Sequence, residues 1–308
     1  MSLDQITPTK TREIRAKLEV SGVKERPGHS VTHEVRPKSK KVKLAIDREA
    51  IKKLKLVAVA YSNIEREWFP TEEAFHAEQE VEKRALEVIA ELEKLGVPAK
   101  GYPGDAYFMT NLLVDRPDLV LNLVDTLRGK DALQTSVPAA LELANTPYTG
   151  AGLEGLVIAN DRNLVKQMMI ANHIPTPAFQ FIQRRGTSVE ERIGLPLIVK
   201  LNESGGSVGI DDHAVKETHE QAQEQVDDLI STYKMPVMVE KFVDGLEITF
   251  DVRVDAESGE PYFIDANPNT AFGPSLGLPF TEVLALNNVT FSDALASLIS
   301  KYARKIQS

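Results

Sequence analysis

Cysteine is absent from this chain of 308 residues. That excludes disulfides, thiolate metal sites and cysteine nucleophiles. No apolar run approaches the length of a bilayer span, so no membrane partner is expected. Residues 1–20 are polar and charged and lack the apolar core of a secretory signal. Together these absences lead to the expectation of a cytoplasmic protein. An excess of positive charge is missing too: the net charge is -9, which gives no support for a nucleic-acid partner. Internal repeats and low-complexity tracts are also lacking. What is present is 42% hydrophobic and 26% charged, an ordinary globular composition long enough for two or three small subdomains.

The charge is uneven along the chain. Residues 1–54 form a basic N-terminal extension, with Lys38, Lys40, Lys41 and Lys43 close together. It reads as a solvated arm or as a phosphate- or membrane-seeking one, and charge runs more often do the former. His29 and His33 are spaced for one helix face, but Pro27 and Gly28 argue against a helix there, and they are not read as metal ligands.

From residue 55 the chain alternates strand and helix. Leu56–Tyr61 and Leu119–Val124 are apolar runs of buried-strand type. A helical stretch runs from Thr71 to Leu95, with Thr71 as N-cap and Gly96 as stop, and Val97–Lys100 leads into a polar loop. Residues 55–150 are therefore expected to form an open α/β domain. Asp161–Ala171 reads as a helix with Leu164, Val165, Met168 and Met169 on one face. Phe179–Ile182, Leu197–Lys200, Val237–Glu240 and Leu246–Val254 read as strands, and Thr218–Thr232 as a helix. This mixture lacks a βαβ rhythm and suits antiparallel α+β lobes over residues 151–245 and 246–308.

Three segments carry chemistry. Lys200 ends the apolar run Leu195–Val199 and is followed by Gly205, Gly206, Ser207 and Gly209. A lysine with a small polar loop can bring backbone N–H groups and a point charge to a phosphate, although a glycine-rich hairpin turn accounts for the loop alone about as well. No Gly-Lys-Ser/Thr closes it, so it is not a Walker A loop. Met235–Phe250 then places Glu240 and Lys241 after a strand and Gly245 before Glu247. Tyr262–Asn269 ends a strand in Asp265 and Asn267.

A lysine with a flexible glycine loop, then Val-Glu-Lys-Phe-Val-x-Gly-x-Glu, then acid-x-Asn resembles the ordered signature of the ATP-grasp superfamily. Thr146-Pro-Tyr-Thr-Gly150 and Ile174-Pro-Thr-Pro177 narrow the resemblance to the D-alanine–D-alanine ligase branch and related carboxylate–amine ligases. The resemblance runs from about Leu56 to the C-terminus. It implies ATP held between two antiparallel lobes behind an N-terminal α/β domain. It assigns Lys200 to the phosphates and Glu240 to the adenine amino group. Lys241, Phe242 and Val243 become a backbone hinge along the adenine edge, Glu247 meets the ribose, and Ile198, Phe242 and Ile264 sandwich the ring. It also implies small-molecule carboxylate and amine substrates and leaves room for a homodimer.

The metal site follows from spacing as well. Phe250–Asp265 reads as a hairpin with Ser258-Gly259 at its turn. A turn centred on Ser258 sets Asp251 opposite Asp265, at a Cα separation of about 4.5–5.5 Å. Two carboxylates that close repel unless a cation intervenes. Asn267 projects from the same face as Asp265. Two acids and an amide oxygen suit Mg²⁺, with waters and phosphates completing the shell. On a single strand Glu247 lies roughly 13 Å from Asp251. Without the upstream motifs, an exposed acidic hairpin is the plainer reading.

The chain also departs from the ligases. Arg162 follows Asp161 where the family has lysine, which keeps the charge in a different geometry. Gly206 stands where the family has a substrate-orienting serine, with only Ser207 beside it. Asp125–Asp131 replaces the His-Gly and Glu-Asp-Gly substrate loops. A long segment with a catalytic loop is missing between Glu247 and Asp251, and the family arginine before the metal aspartate becomes Thr249. Arg253 is the candidate substitute, and Ser275 with Leu276 resembles the acceptor-site Ser-Leu. The reading implied is an ATP- and Mg²⁺-dependent carboxylate–amine ligase acting through an acyl phosphate, with a substrate other than D-alanine. The alternative is an ATP-binding module that no longer ligates.

Overall fold

The computed structural model describes residues 44–205, 208–210, 214–248, 252–255, 261–263, 272–274, 281, 284–285 and 287–307. A short helix α1 (Arg48–Ile51), N-capped by Asp47, leads into β1 (Val57–Tyr61). Helices α2 (Glu72–Glu78) and α3 (Val81–Lys94) follow in place of the single helix expected, although Thr71 caps α2 as its hydroxyl allows. The chain continues through β2 (Ala99–Pro103), α4 (Phe108–Asp115), β3 (Leu119–Leu123) and α5 (Ser136–Leu143). Strand β1 lies between β2 and β3, and all three are parallel.

The two faces of this sheet are covered separately. Val57, Val59, Leu119 and Leu121 pack on Ala85, Val88 and Leu92 of α3. Ala58, Ala60 and Val120 pack on Phe108 and Leu112 of α4 and on Val137 and Leu141 of α5. Burial on both faces explains why β1 and β3 are continuous apolar runs.

Helix α6 (Leu153–Asn160) and helix α7 (Arg162–Ala171) join this domain to the central lobe. The lobe holds β4 (Phe179–Ile182), β5 (Leu197–Leu201), β6 (Val215–Lys216), α8 (His219–Tyr233) and β7 (Val237–Lys241). Its sheet is antiparallel in the order β4-β7-β5-β6. Ile182, Val199, Leu201, Val237 and Val239 bury one face against Ala222, Val226 and Leu229 of α8.

A third sheet, antiparallel in the order β10-β9-β8, is formed by β8 (Gly245–Ile248), β9 (Val252–Asp255) and β10 (Pro261–Phe263). In place of the single strand expected over Leu246–Val254 there are two antiparallel strands, β8 and β9, and Glu247 pairs with Arg253. Strands β9 and β10 pair Val252 with Phe263, one position out of step with a turn centred on Ser258.

The chain then returns to its first domain. Helix α9 (Phe291–Gln307) buries Leu295, Ala296, Ile299 and Ala303 in the core that contains Ala50, Ile51 and Leu54. The Ser300 hydroxyl accepts from the Asp47 N–H at 2.9 Å. Residues 291–307 thus pack with the N-terminal domain rather than with a C-terminal lobe, and residues 44–54 belong to that core rather than to an extension. Among the described residues, the apolar stripe of α9 packs on that core. Among the described residues no helix is long and apolar enough to cross a membrane.

Candidate functional site

The second face of the central sheet differs from the first. Register places Phe179 beside Glu240 and Glu240 beside Ile198, and Phe181 beside Met238 and Met238 beside Lys200. Directly paired residues share a face. An apolar stripe therefore carries one lysine and one glutamate side by side. Glu240 is 1% exposed, and its Oε2 lies 3.3 Å from Lys166 Nζ and 3.7 Å from Lys200 Nζ. A buried carboxylate needs such countercharge. Lys166 is itself 2% exposed. Its ammonium donates to Thr176 Oγ1 at 2.8 Å and lies 5.4 Å from the centre of the Phe179 ring. The other oxygen, Glu240 Oε1, is buried with no hydrogen-bond partner among the described residues. Buried acceptors are normally satisfied, so an open one at the end of a strand is a place for a ligand donor.

Lys200 is the more exposed of the two lysines, at 15%. It lies on β5, four residues before the start of the glycine loop at Ser204. Ile198 and Phe242 are half-buried. The hinge is partly committed already: Lys241 N–H donates to Ala178 O at 2.8 Å and Phe242 N–H to Pro196 O at 2.9 Å. Those two N–H groups are not on offer to a base edge. The Lys241 side chain leaves by the opposite face and donates to Leu195 O. Val243 is buried.

The glycine loop meets the N-terminal domain. Gly205 N–H donates to Asp131 Oδ2 at 2.7 Å and Gly209 N–H to Glu73 Oε1 at 3.3 Å. Gly209 has φ +75°, and a Cβ there would sit 2.9 Å from Leu229, so glycine is required. Arg162 works at the root of the loop, where its guanidinium donates to Leu201 O at 2.8 Å and its N–H to Asn202 O at 3.3 Å. Asp161 caps α7 through Leu164 N–H and accepts from Asn202 Nδ2. Arg162 thus ties helix to strand in this state. Gly206 and Ser207 lie outside the described residues.

The loops that face Gly205 leave the carboxyl ends of β1 and β3. Ser62 Oγ accepts from the N–H groups of Asp125 and Thr126 and fixes the start of the Asp125–Asp131 segment. Acids gather beneath it. Burial pushes the Glu78 carboxyl up to about 7, reinforced by Asp125 and Asp131. Burial likewise pushes Asp125 up to about 6, with Arg84 pulling the other way. Asp131 is raised by burial and pulled back by the Gly205 N–H and Arg162.

Of the expected site residues, the metal ligands Asp251, Asp265 and Asn267, the acceptor-site Ser275 and the ring-sandwiching Ile264 lie outside the described residues. The backbone at Glu247 and Arg253 is cross-strand paired, not spread along one strand. Lys166 escaped the sequence reading. Helix α7 buries Lys166 and Met169 and leaves Leu164 and Met168 substantially exposed, contrary to the apolar face expected. The signal was a lysine three positions before Met169, on the face that turns to Glu240.

Residues 168–264 match the family model described as the D-ala D-ala ligase C-terminus. The chain is 32% identical over 171 residues to an uncharacterized protein, y4sG, of Sinorhizobium fredii, covering 52% of this chain and 49% of that protein. It is also 32% identical over 171 residues to a D-alanine–D-alanine ligase of Herminiimonas arsenicoxydans, covering 54% and 49%. The chain therefore spans about half the length of the curated relatives it matches. In structure it resembles the D-alanine–D-alanine ligase from Bacillus anthracis complexed with ATP, at a TM-score of 0.60 and 15% identity, over 82% of this chain and 98% of that one. With the parallel domain and the antiparallel lobe in agreement, the chain has the ATP-grasp fold, and its matched segment is similar in sequence to D-alanine–D-alanine ligases.

Proposed function

We propose that this protein is an ATP-dependent carboxylate–amine ligase whose nucleotide lies on the Ile198–Lys200–Glu240 face. The observation that carries the reading is Glu240 Oε1, a buried carboxylate oxygen with no donor among the described residues, on a carboxylate whose other oxygen lies 3.7 Å from the partly exposed Lys200. An adenine amino group fits that acceptor, and Lys200 with the loop N–H groups fits a phosphate chain. The Bacillus anthracis relative was crystallised with ATP, which agrees with this use of the fold. Mg²⁺ bound at Asp251, Asp265 and Asn267 would supply phosphate charge neutralisation.

In this reading a small carboxylate is phosphorylated and an amine displaces the phosphate, so no side-chain nucleophile is needed. The protein contributes position and charge. The substrate is proposed to differ from D-alanine, because Gly206 and the Asp125–Asp131 segment replace polar groups that the family uses to seat it. Arg253 and Ser275 are the proposed residues near the acceptor. A second reading, nucleotide binding without ligation, draws on one observation: only residues 249–251 connect β8 to β9, where the resemblance leads one to expect a catalytic loop.

The test is product analysis after incubation with MgATP and a panel of amino acids. The expected result is ADP release and a new amide with a carboxylate other than D-alanine. A clear D-alanyl-D-alanine product with stoichiometric ADP would contradict the substrate assignment. ATP binding with no product across the panel would favour the second reading.

A further inference from the structure

Two lysines neutralise Glu240, and their surroundings differ. Lys200 is partly exposed and lies 3.7 Å from Glu240 Oε2. Lys166 is buried, donates to Thr176 Oγ1 and stands over the Phe179 ring. Once a phosphate chain draws Lys200 away, Lys166 is the cation that remains beside Glu240 Oε2. A carboxylate pinned through one oxygen holds the other in a fixed direction, and here that oxygen is the unpartnered Oε1.

We infer that Lys166 is a positioning residue for base selection: it anchors Glu240 Oε2 so that Oε1 is presented as an acceptor to an exocyclic amino group. This rests on the adenine-nucleotide reading above and deepens it. An ionised carboxylate accepts and cannot donate. Adenine offers a donor at its six position, whereas guanine offers an acceptor there. A site built around a buried hydrogen bond discriminates sharply against a ligand that cannot make it. Without Lys166, the carboxylate is left to Lys200 alone. Its orientation is then no longer fixed, and Lys200 is held back from the phosphates. Lys166→Met should therefore change which base is preferred as well as how tightly any nucleotide binds. A lysine that only fills space would weaken both bases alike.

The experiment is calorimetric titration of MgATP and MgGTP into the full chain, comparing wild type with Lys166→Met, Lys166→Arg and Thr176→Val. Wild type is expected to favour ATP. Lys166→Met should lower the ATP-to-GTP affinity ratio by about tenfold or more, the equivalent of one charge-assisted hydrogen bond. Lys166→Arg should restore most of it. Thr176→Val, which keeps the charge but removes its hydroxyl partner, should give an intermediate ratio, and it carries the test if Lys166→Met does not fold. An unchanged ratio in Lys166→Met and Thr176→Val, with both nucleotides weakened equally, would overturn the inference while leaving the nucleotide site standing. Failure of wild type to bind either nucleotide would overturn the underlying reading and the inference together.

Discussion

The parallel sheet of the N-terminal domain and the antiparallel sheet of the central lobe use strands of similar apolar character, yet they treat charge differently. Strands β1 and β3 bury Val57, Val59, Leu119 and Leu121 on one face and Ala58, Ala60 and Val120 on the other, with no charged residue on either strand. The central sheet buries only one face in this way, against α8. Its other face holds Glu240 and Lys200, and α7 adds Lys166. Dry charge adds little to stability and is costly when left unpaired. The buried Lys166–Glu240 pair on that face singles it out as the proposed working surface, with the parallel sheet as the support.

Substitutions can break the contrast. Glu240→Ala would leave Lys166 buried without its carboxylate, and removing one partner of a buried pair costs about 3–5 kcal/mol. Leu121→Ala in the parallel sheet should cost about 2–5 kcal/mol through its cavity. Urea unfolding should show comparable destabilisation for both, but only Glu240→Ala should also reduce ATP affinity. Equal loss of ATP affinity in Leu121→Ala would remove the distinction between support and working surface.

A smaller effect concerns the acids below the glycine loop. Glu78 is raised to about 7 from 4.5 and Asp125 to about 6 from 3.8. A carboxyl with a raised folded-state pKa contributes stability below its unfolded value and loses it as pH rises through the folded value. The N-terminal domain should therefore melt at a higher temperature at pH 5.5 than at pH 8. Asp115 and Glu142 are lowered and change stability only at more acidic pH. Glu78→Gln should flatten the dependence between pH 5.5 and 8. A melting temperature that rises steadily over this range in wild type would contradict the burial of these acids.

Much of the support was legible in the sequence, because strands buried on both faces and capped helices write plain patterns. Leu119–Leu123, the Thr71 cap and the helix beginning at Thr218 follow from residue type alone. Strand β2 did not show: Ala99 to Pro103 buries only Tyr102 fully, and an edge strand with so little apolar content looks like loop. The division into β8 and β9 was hidden because apolar and charged residues alternate in both, and no Gly or Asn-Gly stands at residues 249–251. At the proposed site, Lys200, Glu240 and the glycine loop were singled out by their order in the sequence. Lys166 was not, since a buried lysine is recognisable only once its carboxylate is placed beside it. The carboxylates Asp131 and Glu73 on the loop N–H groups are contacts between distant segments, which no local pattern announces.

The most direct test of the central claim is titration of MgATP into wild type and Lys200→Ala. Loss of one charge-assisted hydrogen bond, about 1.5–3 kcal/mol, corresponds to a tenfold to hundredfold weaker Kd. The account predicts that wild type binds and that Lys200→Ala binds weaker by that factor, with its fold intact by circular dichroism. Equal affinity in the two proteins would contradict a nucleotide phosphate site at Lys200.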